Sequence, residues 1–189
     1  MGNCGGTADV LPDGTAGLAL TESIRARIRD VPDFPRPGIM FKDITPLLAD
    51  AAVFGAVISA LASGHGPVDK VAGIEARGFI LAAPVACRLG AGFVPVRKPG
   101  KLPSATHAQA YELEYGAAAV EVHTDAFAAG DRVLVVDDVL ATGGTARAAA
   151  DLIRRAGADV TAVAVLLELG FLGGRDGLGK LKFRPLLTV

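Results

Sequence analysis

Arg132–Val133–Leu134–Val135–Val136–Asp137–Asp138–Val139–Leu140–Ala141–Thr142–Gly143–Gly144–Thr145 decides the fold, because it joins an apolar run, two adjacent carboxylates and a Gly/Thr-rich turn that opens into a helix. The four apolar residues 133–136 read as a strand buried on both faces, as strands inside a parallel sheet are. Asp137 and Asp138 then fall at the carboxyl end of that strand, the edge where open α/β sheets bind ligands. The turn 141–145 offers backbone N–H groups and the hydroxyls of Thr142 and Thr145 at the start of a helix predicted over 146–156. The unpaired donors and dipole of a helix N-terminus favour a phosphate there.

Two carboxylates beside a phosphate cradle repel an anion unless the ligand also brings hydroxyls or a divalent cation. A sugar phosphate meets that need. The run resembles the 5-phosphoribosyl 1-diphosphate signature of type I phosphoribosyltransferases. The resemblance implies that Asp137 and Asp138 bind the ribose 2′ and 3′ hydroxyls, and that Ala141, Thr142, Gly143, Gly144 and Thr145 hold the 5′-phosphate.

Working outward, residues 70–74 read as a short strand, followed by Glu75–Ala76–Arg77–Gly78 and an apolar helix ending near Gly90, a second strand–loop–helix unit. Pro84 should kink that helix or lie in its first turn. Residues 93–96 read as a strand that Pro95 weakens, 120–122 as a half-exposed strand and 160–167 as a further buried strand. Residues 97–111 form a long polar stretch with no hydrophobic period, and read as a loop. Alternating strands and helices of this kind indicate an α/β fold with a parallel sheet and helices on both faces.

Towards the N-terminus, Ile24, Ile28 and Val31 recur at helical spacing and predict a helix that Pro32 ends. Residues 33–44 read as an ordered irregular segment fixed by prolines and a glycine. Thr45 and Pro46 read as N-cap and first position of a helix that ends at Gly64. The chain reads as one domain over 18–189 behind a disordered extension, 1–17, with no internal repeat.

At 189 residues and 51% hydrophobic content the chain can bury a sizeable core. Lys and Arg number 19 against 20 Asp and Glu, which excludes a duplex-binding surface and an acidic-membrane partner. The longest uncharged run, 51–68, is broken by His65, Gly66 and Pro67 and is no membrane span. Cys4 and Cys87 indicate no disulfide framework, and residues 1–16 lack the basic and apolar regions of a secretory signal. A reducing cytoplasm is the simplest setting.

His65, His107 and His123 share no metal-ligand spacing, so no protein-held metal is expected. Residues 174–181, Gly–Arg–Asp–Gly–Leu–Gly–Lys–Leu, mimic a nucleotide-binding loop through Lys180. Leu181 stands where such a loop needs Ser or Thr, and the run reads as a surface turn.

Arg97, Lys98 and Lys101 surround Pro99–Gly100, a basic cluster suited to an anionic ligand, and Tyr111–Glu112–Leu113–Glu114–Tyr115–Gly116 follows. With these residues the resemblance narrows to the adenine phosphoribosyltransferase family. Asp33–Phe34–Pro35 through Phe41–Lys42–Asp43–Ile44–Thr45–Pro46 resembles that family's base-binding segment, and Ala76–Arg77–Gly78–Phe79 its pyrophosphate loop. The match runs from about Ser23 to Leu187. Lys42 stands where an arginine is common, and residues 1–18 have no counterpart.

The resemblance implies a transfer of phosphoribose from 5-phosphoribosyl 1-diphosphate to adenine, giving AMP and pyrophosphate. A small hood at about 30–45 would hold adenine through Met40, Phe41 and Lys42. Glu75, Ala76, Arg77, Arg97, Lys98 and Lys101 would receive the pyrophosphate. Asp137 and Asp138 would stabilise the ribosyl cation, and Glu114 would take the proton that adenine loses. Mg2+ carried on the diphosphate, a lid at 98–111 and a homodimer are implied as well. Two alternatives stay open: an enzyme of the same superfamily acting on an oxopurine, and a non-catalytic sensor of the diphosphate.

Overall fold

The computed structural model describes residues 14–113 and 116–189. Helix α1 (Gly14–Arg25) leads into an antiparallel ribbon of β1 (Arg29–Val31) and β2 (Phe41–Asp43), followed by α2 (Thr45–Ala49) and α3 (Ala51–Ala62). Strand β3 (Lys70–Ile74), helix α4 (Gly78–Leu89) and strand β4 (Gly92–Val96) come next, then an antiparallel hairpin of β5 (Thr106–Leu113) and β6 (Gly116–His123). The chain ends with β7 (Arg132–Leu140), α5 (Gly144–Arg155), β8 (Asp159–Glu168), the short α6 (Gly174–Gly177) and β9 (Phe183–Thr188).

The main sheet is parallel, with strand order β4-β3-β7-β8-β9. Val133 and Val135 enter a core shared with α5 and the hairpin, while Leu134 and Val136 enter a second core against α1, α3 and α4. Helices on both faces therefore explain why the run is apolar at every position. All four side chains are fully buried, each contributing on the order of 1.5–3 kcal/mol.

Chain direction across the sheet reverses between β3 and β7: β3 leads outward to β4, whereas β7 leads the other way to β8 and β9. Such a switch point opens a crevice beyond the carboxyl ends of the strands. The β3–β7 ladder stops at Gly73 and Val136, while Asp137 still pairs with Val165 on β8. The acidic pair is thus gripped by the sheet on one side and borders the crevice on the other.

Several local expectations change. The first helix ends at Arg25, because Arg29–Val31 pairs with Phe41–Asp43 before Pro32 is reached; it begins at Gly14, inside the expected extension. The single helix over 45–64 is two: Asp50 turns extended, and its carboxylate accepts from Ala52 and Val53 N–H to cap α3. Thr45 is not a cap; Ile44 occupies that position, and the Asp43 carboxylate accepts from Thr45 N–H. Residues 106–111 of the expected loop 97–111 belong to strand β5, held by its pairing with β6 and by Arg155, which donates to Gln109 Oε1 and the Ala108 carbonyl. Pro95 is accommodated because β4 is an edge strand, and Pro84 lies inside α4.

Candidate active site

A cavity of about 310 Å3 occupies the switch point, lined by the loop 75–77 after β3, the pair Asp137 and Asp138, and Lys98, Tyr111 and Thr145. Beside it a recess of about 80 Å3 is formed by residues 139–146, the turn into α5. Gly143 caps α5 with φ +82°, a conformation that L side chains rarely adopt, so the helix donors can be presented without strain. Gly78 has a different task. A Cβ there would lie 2.7 Å from Asp137 Oδ1, so its absence lets the N-terminus of α4 approach that carboxylate.

Asp137 Oδ1 accepts from the Asp138 N–H at 2.8 Å. Burial, and after it the charge on Asp138, pushes the Asp137 carboxyl well above the usual carboxylate range. Burial also raises Asp138, which is 6% exposed, although the Arg77 guanidinium opposes the rise. The bare pair resists carrying two charges, and hydroxyl donors or a cation from a ligand would relieve it.

Arg77 reaches in two directions. Its Nε lies 2.7 Å from Asp138 Oδ2, yet out of hydrogen-bonding line with that oxygen. A terminal nitrogen donates to the Lys42 carbonyl at 3.2 Å, and the guanidinium carbon sits 4.7 Å over the Phe41 ring. Phe34 packs edge-on against the same ring with centroids 5.0 Å apart. Phe41 and Lys42 therefore contact Arg77 from the ribbon, while Met40, just before β2, is exposed. The Lys42 ammonium is turned to Asp30 at 2.7 Å.

Glu75 gathers the basic cluster. Its carboxylate accepts from Arg97 Nε at 3.1 Å, Lys98 N–H at 3.0 Å and Lys101 Nζ at 2.5 Å. Burial alone would raise this carboxyl, but those donors bring it down to about 2. Glu75 is thus the anchor of the cations that an anion would meet, and Lys98 is the member of the cluster that lines the cavity. Tyr111 was not singled out for the site by sequence reasoning: its hydroxyl accepts from Thr145 Oγ1 at 3.0 Å, tying the hairpin to the turn into α5. Its place at the head of the Tyr111–Gly116 motif was the available signal. Glu114 lies outside the described residues.

Among the described residues no group of three or more His, Cys, Asp or Glu side chains could hold a metal ion, and no helix is long and apolar enough to cross a membrane.

Comparison with known proteins places this geometry. The phosphoribosyl transferase domain family matches residues 47–176. The adenine phosphoribosyltransferase of Streptomyces coelicolor is 64% identical over 181 residues, 93% of this chain and 100% of that protein. The crystal structure of the Thermoanaerobacter pseudethanolicus adenine phosphoribosyltransferase superposes with a TM-score of 0.87 at 50% identity, covering 89% of this chain and 99% of that one. The Saccharomyces cerevisiae enzyme, solved with adenine and an imino-altritol bisphosphate, gives a TM-score of 0.82 at 34% identity over 89% of this chain and 99% of its own. The chain belongs to the adenine phosphoribosyltransferase family, whose reaction joins adenine to the phosphoribosyl group of 5-phosphoribosyl 1-diphosphate to make AMP and pyrophosphate in purine salvage.

Proposed function

We propose that the two recesses at the switch point divide the work of this reaction. The turn 141–145 binds the 5′-phosphate, Asp137 and Asp138 bind the ribose hydroxyls, and Ala76, Arg77 and Lys98 receive the pyrophosphate, with Glu75 holding Arg97 and Lys101 nearby. The observation that carries this reading is the acidic pair bordering the crevice beside a helix N-terminus. A ligand with hydroxyls or a bound cation beside an anion suits both neighbours, and a sugar phosphate is such a ligand.

In the reaction an adenine ring nitrogen forms a bond to C1′ as the C1′–O bond to the diphosphate breaks, and the electron pair leaves with pyrophosphate. Positive charge develops on the ribose, where the two carboxylates stabilise it. Fixed charges already aimed at the transition state are worth several kcal/mol. The proton that the nitrogen releases goes to Glu114, a transfer worth roughly 10²–10⁴-fold. Adenine rests against the ribbon of the hood, at about 30–45, through Phe41 and the backbone of Met40 and Lys42.

Magnesium bound to the diphosphate substrate would supply charge neutralisation for the leaving group. The Asp138 oxygen that lacks an in-line hydrogen bond fits a cation or hydroxyl arriving with the ligand. Of the expected lid 98–111, residues 98–105, which precede β5, close over the intermediate. The family resemblance further supports a homodimer, and the exposed free thiol of Cys87 is in keeping with a cytoplasmic setting. A panel of adenine, hypoxanthine, xanthine and guanine, each supplied with 5-phosphoribosyl 1-diphosphate and magnesium and assayed for pyrophosphate release, tests the assignment. Release with adenine alone is expected; release with none of the bases would favour a sensor.

A further inference from the structure

The Gly174–Leu181 run, which mimics a nucleotide loop in sequence, begins against the back of the phosphate turn. Two backbones meet there with no side chain between them. A Cβ on Gly174 would overlap the Ala141 carbonyl oxygen and come within 3.0 Å of Gly143 N, and a Cβ on Gly143 would overlap the Gly174 carbonyl. A Cβ on Gly177 would stand 3.4 Å from the Thr142 carbonyl. Each residue of 141–143 is therefore opposed by Gly174 or Gly177.

Arg175 keeps the turn in place. Its guanidinium makes two hydrogen bonds to Glu168, Nε to Oε1 at 3.0 Å and a terminal nitrogen to Oε2 at 2.6 Å, and lies 5.2 Å over the Phe183 ring. The Glu168 side chain is 5% exposed and takes a third hydrogen bond from Thr188 Oγ1 at 2.9 Å. Glu168 also pairs with Leu140 in the β7–β8 ladder, so the anchor is part of the sheet that carries the acidic pair. Arg147 of α5 adds a hydrogen bond to the Gly177 carbonyl at 3.4 Å.

We propose that turn 173–177 is a backstop that fixes the curvature of the phosphate turn, and that Arg175 and Glu168 are positioning residues for the 5′-phosphate. The inference rests on the phosphate reading of 141–145 given above. A cradle of backbone N–H groups binds well only if its geometry is set before the ligand arrives, because otherwise binding must order it. The Arg175 side chain is 58% exposed, so its replacement opens no cavity in the main cores and leaves Glu168 with the Thr188 hydrogen bond.

Arg175→Ala and Arg175→Gln test this by steady-state kinetics and by thermal stabilisation with ribose 5-phosphate, which carries the 5′-phosphate and neither base nor diphosphate. The expected result for Arg175→Ala is a KM for 5-phosphoribosyl 1-diphosphate raised about tenfold, with the adenine KM and kcat within about twofold, and a smaller thermal shift; tenfold corresponds to about 1.4 kcal/mol. Arg175→Gln, which keeps one donor for Glu168, is expected to fall between. A wild-type thermal shift and KM in both variants would overturn the backstop, as would a parallel rise in the KM of both substrates. A wild-type enzyme that ribose 5-phosphate does not stabilise would instead remove the phosphate reading, and the inference with it.

Discussion

The Arg77 guanidinium stands 2.7 Å from the Asp138 carboxylate while it hydrogen-bonds the Lys42 carbonyl, so the acidic pair and the β1–β2 ribbon share one cation. The Asp138 carboxyl, raised by burial, is eased back by that charge. The adjacent Phe41 and Lys42 are distant in the chain from Asp138, and their placement relative to it depends on a side chain from the loop after β3.

Arg77→Lys is expected to separate the two halves. A lysine keeps a point charge near Asp138 but lacks the planar fork that also reaches the Lys42 carbonyl and covers the Phe41 ring. A hydrogen bond from a charged donor contributes about 1.5–3 kcal/mol, so the adenine KM should rise by roughly tenfold or more. Unchanged adenine KM at saturating diphosphate substrate would show that the bridge is not used.

Asp137→Asn should stabilise the ligand-free protein while lowering kcat. The folded-state carboxyl sits well above its ordinary value of 3.8, so the folded chain holds a proton that the unfolded chain releases. Stability linked to that proton is present at acid pH and is lost as pH rises through the folded value. The variant has no such loss, and its gain in Tm over wild type should grow from acid to neutral pH. The fall in kcat should be on the order of 10²–10³-fold, the scale of one preorganised electrostatic group. A variant less stable than wild type at neutral pH would contradict the raised carboxyl.

The doubly buried run 133–136 was legible because both sheet faces demand apolar residues, and β3 was legible for the same reason. Strand β5 was not. Thr106, Ala108 and Ala110 show no strong alternation, and their pairing with His123, Glu121 and Ala119 is a contact that no local pattern announces. Ile24, Ile28 and Val31 imitate a helix by spacing, although Val31 in fact pairs with Phe41. The charged residues that line the cavity, Glu75, Arg77, Lys98, Asp137 and Asp138, stand in motifs that the sequence displays. The backing of Gly143 by Gly174 could not, since a contact between glycine backbones leaves no side-chain signature.

Glu75→Gln should loosen the segment that the basic cluster begins. The Glu75 carboxyl is held at about 2, below its ordinary 4.5. Its contribution is therefore full above the ordinary value and lost as pH falls towards the folded one. The Tm difference between wild type and variant should hold from neutral pH to about pH 5 and fade towards pH 2, as both come to carry a neutral group. Lys98 is followed by Pro99, which leaves Lys101–Leu102 as the tryptic bond inside 98–111, with Arg97–Lys98 at its edge. Cleavage there should be faster in the variant, and slower in wild type with diphosphate substrate and magnesium bound. Equal rates in all three samples would argue against a segment that Glu75 restrains and ligand closes over.

Choice of base offers the strictest test of the ribbon. Backbone carbonyls accept hydrogen bonds and cannot donate them, so carbonyls facing the purine 6-position pair with the amino group of adenine and oppose the oxygen of hypoxanthine. A site built on such hydrogen bonds can reject the mispaired analogue by about 10⁴-fold or more in kcat/KM. Phe41, already packed between Arg77 and Phe34, is the proposed stacking surface, and Phe41→Ala should raise the adenine KM with a smaller effect on kcat. The same substitution frees the Arg77 guanidinium from its aromatic contact, so a modest rise in the KM for the diphosphate substrate should accompany it. Competition between adenine and hypoxanthine at equal concentration, read as the ratio of AMP to IMP formed, checks the first claim directly. A ratio near one would mean that the ribbon does not present acceptors to the base, and that discrimination between purines must be sought elsewhere in the hood.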